Sequence, residues 1–266
     1  MNTPRLVSFD RVADVYDETR GHPPEVSAAI ADALIAALPP GPRLLEVGIG
    51  TGRIARPLLQ RNIYIAGLDL SVKMLARLLA SLPPGSPLPP LAIGDGCHLP
   101  FRSGWFDVVL FVHVLHLLPD WRAAIAEARR VIRRGGRLVS GLEERQPDAP
   151  QEQIRARWHE LANAHRQVGW RPDPRAGPDT LQAELLASGA TYREWQGAAW
   201  QAAFTPARFI DYLEAGVYSS SFSLSPADLH ACAEELRSWT VERYGPLDQE
   251  FTSPRTFIWR SYDWED

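Results

Sequence analysis

Three glycines at alternate positions, Gly48, Gly50 and Gly52, follow the run Leu44-Leu45-Glu46-Val47. Glycines there let a chain turn sharply and leave main-chain N–H groups open to a ligand. Glu46 precedes the first glycine by two positions, and Thr51 lies between the last two. Asp69 closes the stretch AGLDL, where a carboxylate can accept both hydroxyls of a ribose. Asp95 closes LAIGD, placed to accept from an exocyclic amine such as that of adenine. Ligands of open α/β sheets bind outside the carboxyl ends of strands, so three such features at three strand ends point to one site. A GxGxxG dinucleotide fingerprint from Gly48 requires glycine at 53, where Arg53 stands, and no GK[ST] of a P-loop occurs. The ligand expected is therefore one without a pyrophosphate.

His113 and His116 are candidate general bases, needed only where a reacting group must lose a proton. Three apart, they would share a face if their segment is helical. With no third partner at suitable spacing, no metal site is expected. Plainer readings stand beside these. The glycines could simply make a tight turn, Asp69 could flank a helix cap, Asp95 could form a turn before Gly96, and the histidines could be core residues. Cys97 reads as a small loop residue.

The elements that position these residues alternate. Strands are expected at 43–47, 63–70, 91–95, 105–112 and 136–143, with helices at 24–38, 51–61, 71–82 and 120–134 between and before them. Ser71 stands where an N-cap belongs, and Gly135-Gly136 reads as a helix stop. The strands are almost continuously apolar, as parallel strands buried on both faces are. Alternation with short connections means a doubly wound parallel sheet with right-handed crossovers. After 145 the regularity breaks. Helices are expected at 149–169, 179–188, 206–215 and 226–243, with strand-like segments at 190–205 and 254–264. Seven of nine tryptophans follow residue 150. The helix carrying Trp158, His159 and His165 could cover a hydrophobic substrate, or its tryptophan could fill core. The stiff stretch PPGSPLPP (83–90) reads as a spacer.

The bulk numbers agree. The chain has 266 residues, 45% hydrophobic and 23% charged, enough for a proper core. A net charge of −4 argues against a nucleic-acid partner. Lys73 is the only lysine, and the two cysteines, Cys97 and Cys232, make no disulfide framework, so a cytoplasmic setting is expected. No signal peptide is read at the N-terminus. The longest apolar run, FDVVLFVHVLHLLP, falls short of the ~20 residues of a membrane span.

The set LLEVGIGTGRI, GLDLSVKML, GDGCHLPF, FDVVLFVHVLHLLPDW and RRGGRLV resembles the class I S-adenosylmethionine-dependent methyltransferases, and among them the small-molecule group that includes quinone-biosynthesis enzymes. The likeness runs from about residue 8 to 145 in order and spacing. It implies an α/β, Rossmann-like sheet of seven strands, order 3-2-1-4-5-7-6, the last strand antiparallel, with a helical insertion after strand 5. It implies one domain over 1–266, with 40–145 the cofactor-binding half and 146–266 the insertion or lid and closing strands. By the same resemblance Glu46, Gly48, Gly50, Thr51 and Gly52 would surround the methionine part of S-adenosylmethionine. Asp69 would hold the ribose, Leu70 would pack on the adenine, Asp95 and Gly96 would meet its edge, and Val112 would offer backbone to the ammonium. Tyr16 and Arg20, in YDETRG, would belong to a segment folding over the cofactor. The nucleic-acid amino-methyltransferases carry an Asn/Asp-Pro-Pro-aromatic turn after strand four; FVHV stands there instead, which favours a small acceptor. Two other functions remain open: a non-catalytic subunit that binds S-adenosylmethionine or S-adenosylhomocysteine, and a nicotinamide-dependent oxidoreductase, which Arg53 counts against.

Overall fold

The structure, a computed structural model, describes residues 8–165 and 177–264. Seven strands form one sheet in the order β3-β2-β1-β4-β5-β7-β6. They are β1 (Arg43–Val47), β2 (Tyr64–Asp69), β3 (Leu91–Ile93), β4 (Phe106–Val112), β5 (Ile132–Arg145), β6 (Ala190–Phe204) and β7 (Phe251–Trp264). The first five are parallel, with Val47 opposite both Leu68 and Phe111. β7 runs antiparallel between β5 and β6, as expected.

Helices α1 (Tyr16–Arg20), α2 (Pro24–Ala36), α3 (Ala55–Leu59), α4 (Val72–Ala80) and α5 (Trp121–Val131) connect or precede these strands. They are followed by α6 (Pro150–His165), α7 (Pro178–Ala187), α8 (Pro206–Glu214) and α9 (Pro226–Tyr244). The stretch 166–176, into which the expected helix 149–169 and the connector WRPDPRAGPD both run, lies outside the described residues. Local chemistry sets the helix starts. Ser71 caps α4 by accepting from Met74 N at 3.1 Å, and Asp120 caps α5 by accepting from the N–H groups of Arg122 and Ala123.

Two expectations need correction. The helix expected over 51–61 is confined to Ala55–Leu59, because residues 51–54 are spent on the turn out of β1. The glycine pair 135–136 does not end the preceding helix, which stops at Val131, with Ile132 already extended. The pair lies inside β5 at a register shift against β4. Gly135 has φ +69°, and a Cβ on Gly136 would sit 2.7 Å from the Asp107 carbonyl oxygen. The glycines thus serve a bulge and a close approach of two strands.

By its contacts the chain divides into two compact units. Among the described residues, one comprises 8–142, 177–198 and 257–264, the other 143–165 and 199–256. The first has its core between sheet and helices, where Leu45, Val47, Leu68, Phe106, Phe111 and Trp121 pack together. Trp259 is fully buried there, and its indole N–H donates to the Ile30 carbonyl of α2 at 3.1 Å. The second unit packs α6, α8 and α9 around Trp158, Phe209, Ile210 and Leu236. Trp158 is completely buried, so of its two expected roles it fills core. His165 pairs with Asp228 at 3.2 Å. Among the described residues no helix is long and apolar enough to cross a membrane.

Candidate functional site

The chain leaves β1 leaning over β2, with Gly48 N and Ile49 N both donating to the Leu68 carbonyl, at 2.7 and 3.1 Å. The three glycines of the turn have positive φ: +75° at Gly48, +56° at Gly50 and +79° at Gly52. Their reasons differ. A Cβ on Gly48 would lie 2.5 Å from a Val114 methyl, and one on Gly52 would lie 2.3 Å from Leu78 Cδ1, so packing requires both. At Gly50 the nearest heavy atom would be 4.0 Å away. That glycine is required by its backbone angle, and the space beside it is open.

The open space is a cavity beside the turn. Gly48, Gly50, Asp69, Leu70, Gly96 and Val112 line it with Tyr16 and His113, all eight singled out in the sequence. Asp69 is fixed at its rim. One carboxylate oxygen accepts from Gly50 N and the other from Ser71 N, each at 2.8 Å, so a single side chain ties the glycine turn to the start of α4. Burial raises its pKa above the ordinary value, against the opposing effect of these two N–H groups.

Other expected residues stand outside the cavity wall. Glu46 is 3% exposed, and its Oε2 has no hydrogen-bond partner among the described residues. Burial first, with Asp69 nearby, pushes its pKa up to about 8, against the opposing charge of Arg53. Thr51 is buried and donates to Asp17. Gly52 packs under Leu78, and the Arg20 guanidinium lies 4.7 Å over the Tyr16 ring. The Asp95 carboxylate accepts from Cys97 N at 2.9 Å and meets His98 at 3.2 Å, while the flanking Gly94 and Gly96 line the cavity. His113 and His116 do not share a helical face. The 3₁₀ turn begins only at Leu115, and His113 has φ +52°, which turns the chain between them. Burial lowers the pKa of His116 and keeps its ring neutral.

The N-terminal segment holds what sequence reasoning missed. Phe9 lines the cavity beside Tyr16, the two rings edge to face at 6.0 Å. Three acids fasten this segment. Asp10 accepts from Ser71 Oγ at 2.6 Å and from Lys73 N at 3.1 Å. Asp14 pairs with Arg77 at 2.7 Å, and Asp17 with Thr51 and with Arg56 at 3.0 Å. Arg53 adds a bond from its guanidinium to the Arg20 carbonyl at 2.7 Å. The signal was present in the spacing 10, 14, 17, a helical stripe of carboxylates. Replacing Asp17 by alanine is expected to raise the rate of limited tryptic cleavage between residues 8 and 20 roughly three- to tenfold. The urea midpoint should scarcely move, because partly exposed pairs contribute about 0–1 kcal/mol. An unaltered cleavage rate would mean that Asp17 does not hold the segment.

Residues 45–140 match the family described as "Methyltransferase domain". The match runs from β1 into β5. The demethylmenaquinone methyltransferase of Streptomyces griseus is 32% identical over 136 residues, covering 49% of this chain and 56% of that protein. The chain spans 56–62% of the length of the first curated relatives that it matches. The fold recurs in the crystal structure of BH2331 from Bacillus halodurans, with TM-score 0.58 at 15% identity, covering 89% of this chain and 99% of that one. It recurs also in a phosphoethanolamine N-methyltransferase of Haemonchus contortus solved with S-adenosylhomocysteine, with TM-score 0.57 at 15% identity, covering 98% of this chain and 61% of that one.

Proposed function

We propose that this chain transfers the methyl group of S-adenosylmethionine to a small organic acceptor. The observation that carries the reading is the Asp69 carboxylate at the cavity rim, held by the Gly50 and Ser71 N–H groups beside a turn whose middle glycine faces open space. Such a rim suits a nucleoside: a carboxylate for the ribose hydroxyls, main chain at Gly94 and Gly96 for a purine edge, and apolar cover from Leu70, Met74 and Leu118. The buried, unpartnered Oε2 of Glu46 suits a cationic group at the far end of the same ligand. The residues present therefore fit the cofactor that the family match implies.

When bound, S-adenosylmethionine supplies an electrophilic methyl group on its own leaving group, so the chain's task is placement and exclusion of water. Orientation alone can contribute roughly 7–11 kcal/mol of barrier lowering. Phe9 and Tyr16 cover the cavity on the side of the N-terminal segment, and the glycine turn and Asp69 fix its floor and rim. His113, bordering the cavity where β4 ends, is placed to take a proton from an acceptor.

Calorimetric titration with S-adenosylmethionine, S-adenosylhomocysteine and NAD tests the reading. The first two should bind with micromolar or tighter affinity and NAD should not bind. Binding of NAD in the absence of any sulfonium or thioether binding would end it. Binding with no methyl transfer to any member of a panel of small acceptors would favour the non-catalytic subunit instead.

A further inference from the structure

A second cavity opens beside the first. Its apolar wall is Phe111, Leu115, Leu142 and Leu181, and its polar groups are His116 and Ser140. His113 and Val114 line both cavities, so the two spaces meet just after the end of β4. His113 holds the left-handed conformation, which costs a non-glycine residue about 1 kcal/mol or more and persists where its surroundings enforce it. The T-shaped contact with Phe257, centroids 6.4 Å apart, braces the ring there.

We infer that this second cavity receives the methyl acceptor, and that the acceptor is a neutral, largely apolar molecule bearing a phenol or enol hydroxyl. The assignment rests on the methyl-transfer reading above. Two observations lead to it. None of the described residues lining it is Asp, Glu, Lys or Arg, so a carboxylate, phosphate or ammonium would be buried there without a counter-charge, at a cost of several kcal/mol. The few polar groups, two imidazoles and a hydroxyl, lie among apolar walls, an arrangement that fixes one hydroxyl and leaves the rest of the molecule to hydrophobic contact. Burial keeps His116 neutral, able to share a hydrogen bond without adding charge. In the transfer, the acceptor's O–H bond breaks and its proton passes to the His113 imidazole while the O–CH3 bond forms. The S–CH3 bond breaks with its electron pair left on sulfur. One positive charge is lost at the sulfonium donor and one gained on the imidazole, so the step balances.

The test uses the full chain saturated with S-adenosylhomocysteine and the probe 2-naphthol, with 2-naphthoate as its charged counterpart. Naphthol should bind at least tenfold more tightly than naphthoate, and its binding should shift the imidazole resonances of His113 and His116. Leu142→Trp, at a half-buried position on the cavity wall, should weaken naphthol at least tenfold and leave the S-adenosylhomocysteine Kd within twofold. Equal affinity for naphthoate, absent naphthol binding, or naphthol binding indifferent to Leu142→Trp would each overturn the acceptor class while leaving the methyl-transfer reading intact. Failure of S-adenosylhomocysteine itself to bind would instead overturn that reading, and this assignment with it.

Discussion

Glu46→Gln should stabilise the ligand-free protein at pH 8 and weaken its binding of S-adenosylhomocysteine. The carboxyl is buried with Oε2 unpartnered, and its pKa is pushed up to about 8 from an ordinary 4.5. Between these values the folded chain keeps a proton that the unfolded chain has released. The unfolded state then binds fewer protons, and stability falls as pH rises. The contribution is fully present below pH 4.5 and is lost as pH rises through 8. Glutamine has nothing to ionise. The stability of the variant relative to the native chain should therefore grow by about 3–4 kcal/mol between pH 5 and 8, at 1.36 kcal/mol per unit of pKa difference. Taking the difference between the two proteins removes the opposing contribution of His116, whose lowered pKa acts with the other sign. Urea unfolding across this range measures it, and a difference that stays flat would mean that the carboxyl is not desolvated. If Glu46 meets the cationic end of the ligand, the same substitution costs at least tenfold in affinity. Opposite effects on stability and binding at one buried acid are the signature of a group retained for its ligand.

What could be read from the sequence followed from period and punctuation. Apolar runs ending at Glu46-Val47, Asp69 and Val112 placed the strand tips, because a strand buried on both faces leaves little freedom in its pattern. Seven of the residues singled out for a cofactor line one cavity, together with His113, since strand order in a parallel sheet brings carboxyl ends together. What escaped depended on contacts distant in sequence. That Gly135-Gly136 marks a bulge depends on the Asp107 carbonyl facing Gly136, which no local pattern reports. Separation of His113 from His116 depends on one left-handed residue at the end of β4. The hold of Asp10 on Ser71, 61 positions away, appears only after α4 is in place. Asp95 shows the limit from the other side. Its position at a strand end suited a ligand, yet the carboxylate is engaged by Cys97 N and His98, and the neighbouring glycines line the cavity.

Asp69→Ala should lower affinity for S-adenosylhomocysteine ten- to a hundredfold, about 1.4–2.7 kcal/mol. Two losses contribute. One is the charge-assisted contact to the ribose hydroxyls, on the reading proposed above. The other is the hold on the Gly50 and Ser71 N–H groups, each 2.8 Å from the carboxylate, without which the glycine turn loosens. A weaker affinity alone cannot separate them, but a pair of probes can. Adenosine and 2′,3′-dideoxyadenosine differ only in the hydroxyls that the carboxylate would accept. The native chain should prefer adenosine by at least tenfold, and the alanine variant should bind the two alike. If the variant kept the preference while losing affinity for both, Asp69 would be a brace for the turn and the ribose contact would lie elsewhere. If affinity did not change at all, neither role would stand, because a carboxylate with two buried N–H groups to satisfy cannot be removed without consequence from a rim that grips a ligand.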